Sequence, residues 1–162
     1  MLSSDYVVGL VDGEGSFSVR INRQPTRRAK VELKFSLKLR HQDKQVLNAL
    51  QQFFGCGKVY IQNDKRANHS LCYRFEVQNR KEIIETIIPF FEANSPQAQS
   101  RKRDFELFKT ASAAADAHRQ PKAAYEITEL LQSSPVDIEK IEQLKQQMHW
   151  GLAVYGKTVR AV

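Results

Sequence analysis

The chain has 162 residues, of which 41% are hydrophobic and 27% are charged, and its formal net charge at pH 7 is +7. This composition excludes a disordered chain, and the length is too short for two domains of ordinary size. The positive charge indicates an anionic partner. We therefore expect one domain over residues 1–162, with its core at about 2–117 and further helices at about 121–162.

The sequence contains no sign of export or of membrane insertion. No stretch is long and apolar enough to cross a membrane, and the N-terminus lacks the basic and apolar regions of a signal peptide. Cys56 and Cys72 lack the spacing of a CxxC or Cys/His metal site, so we expect reduced thiols. The expected location is intracellular, either in an organelle (chloroplast or mitochondrion) or in a bacterial or archaeal cytoplasm.

The first predicted element is a helix over residues 2–12. Ser3 or Ser4 is a suitable N-cap, and Asp5 lies in the first turn, where a negative charge is favourable. The chain from residue 7 to residue 15 reads VVGLVDGEG.

The end of this helix carries two acids, Asp12 and Glu14, at the unfavourable negative end of the helix dipole. A glycine inside the helix, Gly9, costs about 1 kcal/mol relative to alanine. Close approach by another helix would offset that cost. The pattern predicts a tightly packed helix that delivers Glu14 to a polar site.

Alternating hydrophobic residues follow and predict two β-hairpins. In chain order we expect a strand at 16–22, a turn at 23–29, a strand at 30–40, and a helix at 44–54 capped by Asp43 and stopped by Gly55 and Gly57. A strand at 58–62, a turn at 63–69 and a strand at 71–77 should follow. The rest of the chain should form a helix at 80–93 that is bent or ended near Pro89, a loop at 94–100, and helices at 101–117, 121–133 and 135–149. In the fourth strand, Leu71, Tyr73, Phe75 and Val77 should face the core, with Cys72, Arg74 and Glu76 outside. In the third strand, Val59 and Ile61 should alternate with Lys58, Tyr60 and Gln62.

The charge is concentrated in the two hairpins, since residues 16–78 contain 13 Lys and Arg but only 4 Asp and Glu. A solvated sheet face normally mixes both signs, whereas a two-stranded ribbon of this charge fits the DNA major groove. The side chains predicted to contact bases or phosphates are Ser18, Arg20, Asn22, Arg23, Gln24, Arg27, Arg28, Lys30, Lys34, Ser36, Lys38, Arg40, Lys58, Tyr60, Gln62, Lys65, Arg66, Asn68, His69 and Arg74.

The motif at residues 7–15 resembles the signature of the LAGLIDADG homing endonucleases. Gly9, Asp12 and Gly15 match it, and Glu14 takes the place of its last acid. The resemblance covers roughly residues 5–110. It implies an α+β fold, an αββαββα core with a curved, antiparallel four-stranded sheet, to which the C-terminal helices are added.

The resemblance also implies a site-specific endonuclease that hydrolyses double-stranded DNA with Mg²⁺, for which Mn²⁺ would substitute. Glu14 would bind the metal, with the Gly13 carbonyl beside it. One carboxylate per subunit is a poor metal site, so one motif implies a homodimer whose two motif helices pack around a two-fold axis. We expect the dimer interface at Val8, Gly9, Val11 and Asp12. Asp12 is expected to cap or position the motif and not to bind metal.

Further catalytic residues are implied less specifically. Members of the family carry a polar residue near the end of the long strand that organises water, which here is Arg40, His41 or Gln42. They also carry a lysine that stabilises charge at the scissile phosphate, for which Arg101 and Lys102 are the best matches. Lys157 and Arg160 are further candidates for contacts to the DNA backbone.

Two other function classes stay open from the sequence. A maturase would use the same fold to bind intron RNA and assist splicing. A catalytically idle relative would be a DNA-binding regulator. The presence of Glu14 favours cleavage over the idle protein, and the gene of such an endonuclease is expected to lie within an intron.

Overall fold

The structure, a computed structural model, describes residues 2–21, 31–62, 71–116, 141–143 and 145–147. Its elements are α1 (Ser4–Glu14), β1 (Gly15–Ile21), β2 (Val31–Arg40), α2 (Lys44–Phe54), β3 (Lys58–Gln62), β4 (Cys72–Val77), an interrupted helix α3 (Arg80–Glu82, Ile83–Ile87 and Ile88–Ala93) and α4 (Gln99–Asp116). The predicted α+β order is confirmed. Of the expected C-terminal helices, only residues 141–143 and 145–147 are described, and they are helical. Among the described helices, none has the length and apolar character needed to cross a membrane.

The four strands form one antiparallel sheet in the order β1-β2-β4-β3. In the first hairpin Gly15 pairs with Leu37, and in the second Lys58 pairs with Glu76. The long strand β2 joins the hairpins, since it pairs with β4 through Arg40 and Cys72 at one end. The alternation in the sequence predicts this sheet because one face lies on the core and the other does not.

Aromatic side chains fill the core between the sheet and the helices. Phe17 of β1 stacks on Phe35 of β2, with ring centroids 5.1 Å apart, and contacts Phe91, Phe105 and Phe108 at 5.2 to 5.4 Å. Each of these side chains is almost wholly buried. Burial of this kind stabilises by about 1.5–3 kcal/mol per side chain, so the core fixes the helices to one face of the sheet.

The helix α3 is interrupted just before Pro89. Asn79 caps its start by accepting a hydrogen bond from the Lys81 amide at 3.0 Å. Ile83–Ile87 then form a π-helical turn. Pro89 has no amide hydrogen for the carbonyl four residues earlier, so the α-helical pattern is broken there. The predicted bend therefore lies in the turn that precedes the proline.

One expected orientation in the second hairpin, that of Leu71, is wrong, and two further residues differ from expectation only in their burial. Leu71 is exposed because β4 begins only at Cys72, and the Leu71 carbonyl instead accepts a hydrogen bond from the His41 amide at 2.9 Å. Ile61 is exposed on the edge strand β3. Glu76 lies on the outer face of the sheet, as its register requires, but only 9% of it is exposed, because long neighbouring side chains cover it.

The helix α2 begins and ends close to its predicted limits. Asp43 occupies the N-cap position but its side chain makes no capping hydrogen bond, contrary to expectation. Residues 41–43 form a 3-10 turn that places the Asp43 backbone away from the extended conformation of a usual N-cap. At the other end Gly55 has a φ of 65° and its amide donates to the Gln51 carbonyl, as a helix-ending glycine does.

Substitution of Gly57 by alanine is expected to lower the free energy of unfolding by about 3 kcal/mol. Gly57 has a φ of 80°, and a Cβ atom there would lie 2.7 Å from Phe75 and 2.8 Å from Val77 in the core. Gly55→Ala is the matched control, because Gly55 also has a positive φ but a Cβ there meets nothing within 4 Å. It should cost only about 1 kcal/mol. Urea denaturation measures both values, and equal losses would contradict the predicted clash.

Candidate active site and nucleic-acid interface

The helix α1 is anchored at its start and ends at Glu14. Ser3 is the N-cap, and its hydroxyl accepts a hydrogen bond from the Tyr6 amide at 3.2 Å. Val7 and Val11, one helical turn apart, are fully buried against the core. The helix runs two residues further than predicted, so both acids lie in its last turn. Glu14 is exposed, and its carboxylate is free to meet a ligand.

The junction after Glu14 admits only glycine. A Cβ atom at Gly15 would lie 2.5 Å from the Val11 side chain and 2.6 Å from the Val11 carbonyl oxygen. The Gly15 amide donates to that carbonyl, and Gly15 is already the first residue of β1. The close contact therefore holds the start of the strand against the end of the helix and fixes the position of Glu14.

Asp12 ties the motif helix to the segment before α4. One of its carboxylate oxygens accepts a hydrogen bond from the Gln97 amide at 3.0 Å, and the other is buried without a hydrogen-bond partner among the described residues. Asp12 thus fixes the segment before α4 to the end of the motif helix, and the residue is half-buried. Its role in positioning the motif stays a prediction.

Glu14 opens into a pocket at the end of the long strand. The pocket has a volume of about 420 Å³ and is lined by Glu14, Lys38, Leu39, Arg40, Asp43 and Cys72. An exposed carboxylate beside two cations can hold a divalent metal ion and the phosphate of a nucleic acid at the same time. Among the described residues no group of three or more His, Cys, Asp or Glu could bind a metal ion alone.

Only one of the three candidates at the strand end lines this pocket, and that residue is Arg40. His41 stacks on Tyr73 with ring centroids 5.8 Å apart, and Gln42 is exposed. The 3-10 turn that begins at His41 ends the alternation of the strand, so the side chains of His41 and Gln42 do not follow Arg40 into the pocket.

The two basic candidates at the start of α4 do not line the pocket either. The Arg101 guanidinium pairs with Asp104 at 3.4 Å, and its Nε is buried without a hydrogen-bond partner among the described residues. Lys102 is exposed, and its amide donates to the Ala98 carbonyl. Within one chain, the structure therefore does not bring Arg101 or Lys102 to the Glu14 pocket.

Besides the apolar Leu39, two pocket residues were not predicted as site residues. Cys72 lies opposite Arg40 in the sheet register, and Asp43 is the last residue of the 3-10 turn. The sequence contains no motif for either of them. Cys72 could have been placed beside Arg40 from the sequence by pairing the end of β2 with the start of β4. That register requires β4 to begin at residue 72, whereas the sequence predicted a start at residue 71.

The exposed face of α1 differs from the predicted dimer interface. Val11 is fully buried in the core of its own chain and exposes no surface to a partner, and Val8 is only 7% exposed; the prediction was wrong for Val11. Gly9 is exposed, and a Cβ atom there would meet nothing within 4 Å. Tyr6, one turn earlier, is 48% exposed. The open face of the helix therefore runs through Tyr6, Gly9 and Gly13.

The outer face of the sheet is polar and mostly basic, and we name it the polar face. By the strand registers it carries these predicted DNA-contact residues: Ser18, Arg20, Lys34, Ser36, Lys38, Arg40, Lys58, Tyr60, Gln62 and Arg74. Its acids in the described strands are Glu32 and Glu76. Ser36 is buried and offers little surface to a ligand.

The remaining predicted contacts lie outside the described residues, namely Asn22, Arg23, Gln24, Arg27, Arg28, Lys30, Lys65, Arg66, Asn68, His69, Lys157 and Arg160. The polar face and the Glu14 pocket share Lys38 and Arg40. The basic surface is therefore continuous with the pocket that holds the exposed carboxylate.

The chain matches known proteins over most of its described core. A family model described as LAGLIDADG endonuclease matches residues 7–112. The probable intron-encoded DNA endonuclease 1 of Mycosarcoma maydis is 34% identical over 106 residues, which are 65% of this chain and 35% of that protein. The chain thus spans about a third of the length of this relative.

Solved structures have the same fold. The structure of I-SmaMI bound to an uncleaved DNA target in the presence of calcium ions matches with a TM-score of 0.72 at 24% identity, over 100% of this chain and 51% of that one. The crystal structure of the homing endonuclease I-TnaI matches with a TM-score of 0.61 at 28% identity, over 91% of this chain and 98% of that one. With the motif, the sheet and the family match in agreement, the chain belongs to the LAGLIDADG endonuclease family.

Proposed function

We propose that the chain is a site-specific endonuclease that cuts both strands of a long, nearly palindromic DNA site as a homodimer. The observation that carries this proposal is the exposed Glu14 in a pocket shared with Lys38 and Arg40, at the edge of a basic sheet face. The cations attract the DNA backbone, and a metal ion between the Glu14 carboxylate and a bound phosphate would remove the repulsion between these two negative groups.

The metal would be bound by Glu14 and by the carbonyl oxygen of Gly13 beside it. Oxygen donors of this kind suit Mg²⁺, and Mn²⁺ should substitute. The ion, when bound, would polarise the phosphate and lower the pKa of a water molecule. One chain offers too few ligands in its described part, which fits a site completed by a second copy and by DNA phosphates.

Two observations support a homodimer. The open face of α1 at Gly9 leaves room for a second helix to approach closely. In addition, the described residues offer too few ligands to hold a metal ion alone. Two copies related by a two-fold axis would place both Glu14 carboxylates near that axis and require the two halves of the DNA site to resemble each other.

Cleavage of the uninterrupted host sequence tests this function. The substrate is a duplex in which the DNA flanking the gene is joined without the insert. We expect both strands to be cut with Mg²⁺ or Mn²⁺ and neither to be cut with EDTA. The same flanks separated by the inserted DNA serve as the control and should stay intact. A protein that binds the joined duplex and never cuts it would instead be a DNA-binding relative without nuclease activity.

A further inference from the structure

The carboxylate of Glu76 lies in the middle of the polar face, yet only 9% of the residue is exposed. In the sheet register Glu76 sits opposite Ser36 of β2 and Lys58 of β3. It is thus an acid at the centre of a surface that is otherwise basic and that would lie against DNA.

Four side chains converge on this carboxylate. The Lys34 ammonium lies 3.6 Å from one Glu76 oxygen, and the Arg74 guanidinium lies 3.7 Å from the same oxygen. The Gln78 amide donates to the other oxygen, and the Tyr60 hydroxyl also bonds to Glu76. The network continues outward, because Nε of Arg74 donates to the side-chain oxygen of Gln62 at 3.0 Å.

The Tyr60 side chain is held at its hydroxyl end by this arrangement. Burial, followed by the hydrogen bond and the charge of Glu76, raises the pKa of Tyr60 to about 12. The ring is still 40% exposed, so its face remains available to a ligand while its hydroxyl stays bound to Glu76.

The network contains residue types that recognise DNA bases through hydrogen bonds. Arg and Lys recognise guanine through paired acceptors, and glutamine recognises adenine. Long basic side chains that are not held in place instead contact phosphates, which carry no sequence information. A carboxylate that pairs with these side chains fixes their orientation. Its negative charge also weakens the attraction of the sheet for DNA of any sequence.

We infer that Glu76 is a positioning residue for base recognition: it holds Lys34, Arg74 and Tyr60 in fixed orientations and so makes DNA binding more selective and less strong. The inference rests on the proposed function, since it requires that the polar face meets DNA. Glu76 would thus assist the recognition of DNA although its negative charge opposes DNA binding.

The test compares Glu76→Gln with wild type on a randomised duplex pool of about 20 base pairs, roughly two helical turns. Bound DNA is sequenced at several salt concentrations. For Glu76→Gln we expect tighter binding to the unselected pool, a salt dependence steeper by about one counterion, and a loss of about tenfold in preference at the base pairs nearest Arg74.

Glu32→Gln is the control, because it removes the same charge from the same face of the sheet. It should also tighten binding to the unselected pool, but the base preference that Glu76→Gln loses should remain. Thermal unfolding checks that both variants are folded. An Arg74→Gln background adds a second test, since the effect of Glu76→Gln on that preference should vanish there.

The possible failures are distinct. If wild type selects no sequence from the pool, the proposed function fails. If wild type selects a site and folded Glu76→Gln selects the same site with the same preference, the inference about Glu76 is overturned. An equal loss of preference in Glu32→Gln would also overturn it, because the effect would then be one of charge alone. If Glu76→Gln does not fold, an Arg74→Gln chain that keeps the wild-type preference overturns the inference.

Discussion

Replacement of Glu14 by glutamine is expected to abolish strand cleavage while DNA binding is retained. The side chain keeps its size but loses the charge that would hold the metal ion. Removal of one group that stabilises charge in a transition state costs about 100-fold or more in rate. Binding should be equal or tighter, because one negative charge that faces phosphates is removed.

Single-turnover cleavage and binding in Ca²⁺ measure these two effects separately. Glu85→Gln is a suitable control, since Glu85 is an exposed acid on α3 that pairs with the exposed Lys81 at 3.9 Å. This substitution removes the same charge from a residue that does not line the pocket. The variant should therefore cleave DNA at the wild-type rate. If Glu14→Gln cuts at the wild-type rate in Mg²⁺, then Glu14 does not hold the metal ion.

Substitution of Gly9 by leucine is expected to separate the dimer without harm to the monomer. Leucine is favoured over glycine in a helix by about 1 kcal/mol, and a Cβ at Gly9 meets nothing within 4 Å of its own chain. In a dimer the new side chain would push the two α1 helices apart. We expect the dissociation constant to rise at least about thirtyfold, a loss of about 2 kcal/mol, and cleavage to fall with it.

Sedimentation at micromolar concentration gives the oligomeric state of each variant. Asn48→Leu on α2 provides the comparison, because it places the same side chain at another exposed helical position. It should sediment like wild type. A Gly9→Leu protein that remains a dimer and cuts DNA would exclude α1 as the interface, and a wild type that sediments as a monomer would contradict the shared metal site.

The sheet could be predicted because its evidence is local. The ten residues of β2 alternate between core and surface, and this period fixes the face of each side chain before any contact is known. The same reasoning failed for Leu71, where the strand had not yet begun. The alternation also did not predict the burial of Glu76. That burial depends on Lys34 and Arg74, which lie on two strands, and not on the position of Glu76 in the alternating pattern.

The site could be predicted only in part, because its residues come from separate elements. The motif predicted Glu14 from nine consecutive residues. It did not separate Arg40 from His41 and Gln42, because the 3-10 turn that redirects the chain after Arg40 has no strong sequence signal. The interface prediction followed the resemblance of the motif to the family signature and not the helical period. That period turns Val11 inward, one turn after Val7.

The junction at Gly15 would fix the distance between the recognised bases and the cleaved bond in the proposed complex with DNA. No linker separates Glu14 from β1, because Gly15 is the first residue of the strand and is pressed against the end of the helix. A strand advances about 3.3 Å per residue, close to the 3.4 Å between successive bases on one DNA strand. In the proposed complex with DNA, Ser16, Ser18 and Arg20 would therefore lie at successive steps of about two base pairs outward from the bond beside Glu14. Substitution of these side chains would then change the sequence that is recognised, while the position of the cleaved bond would stay the same.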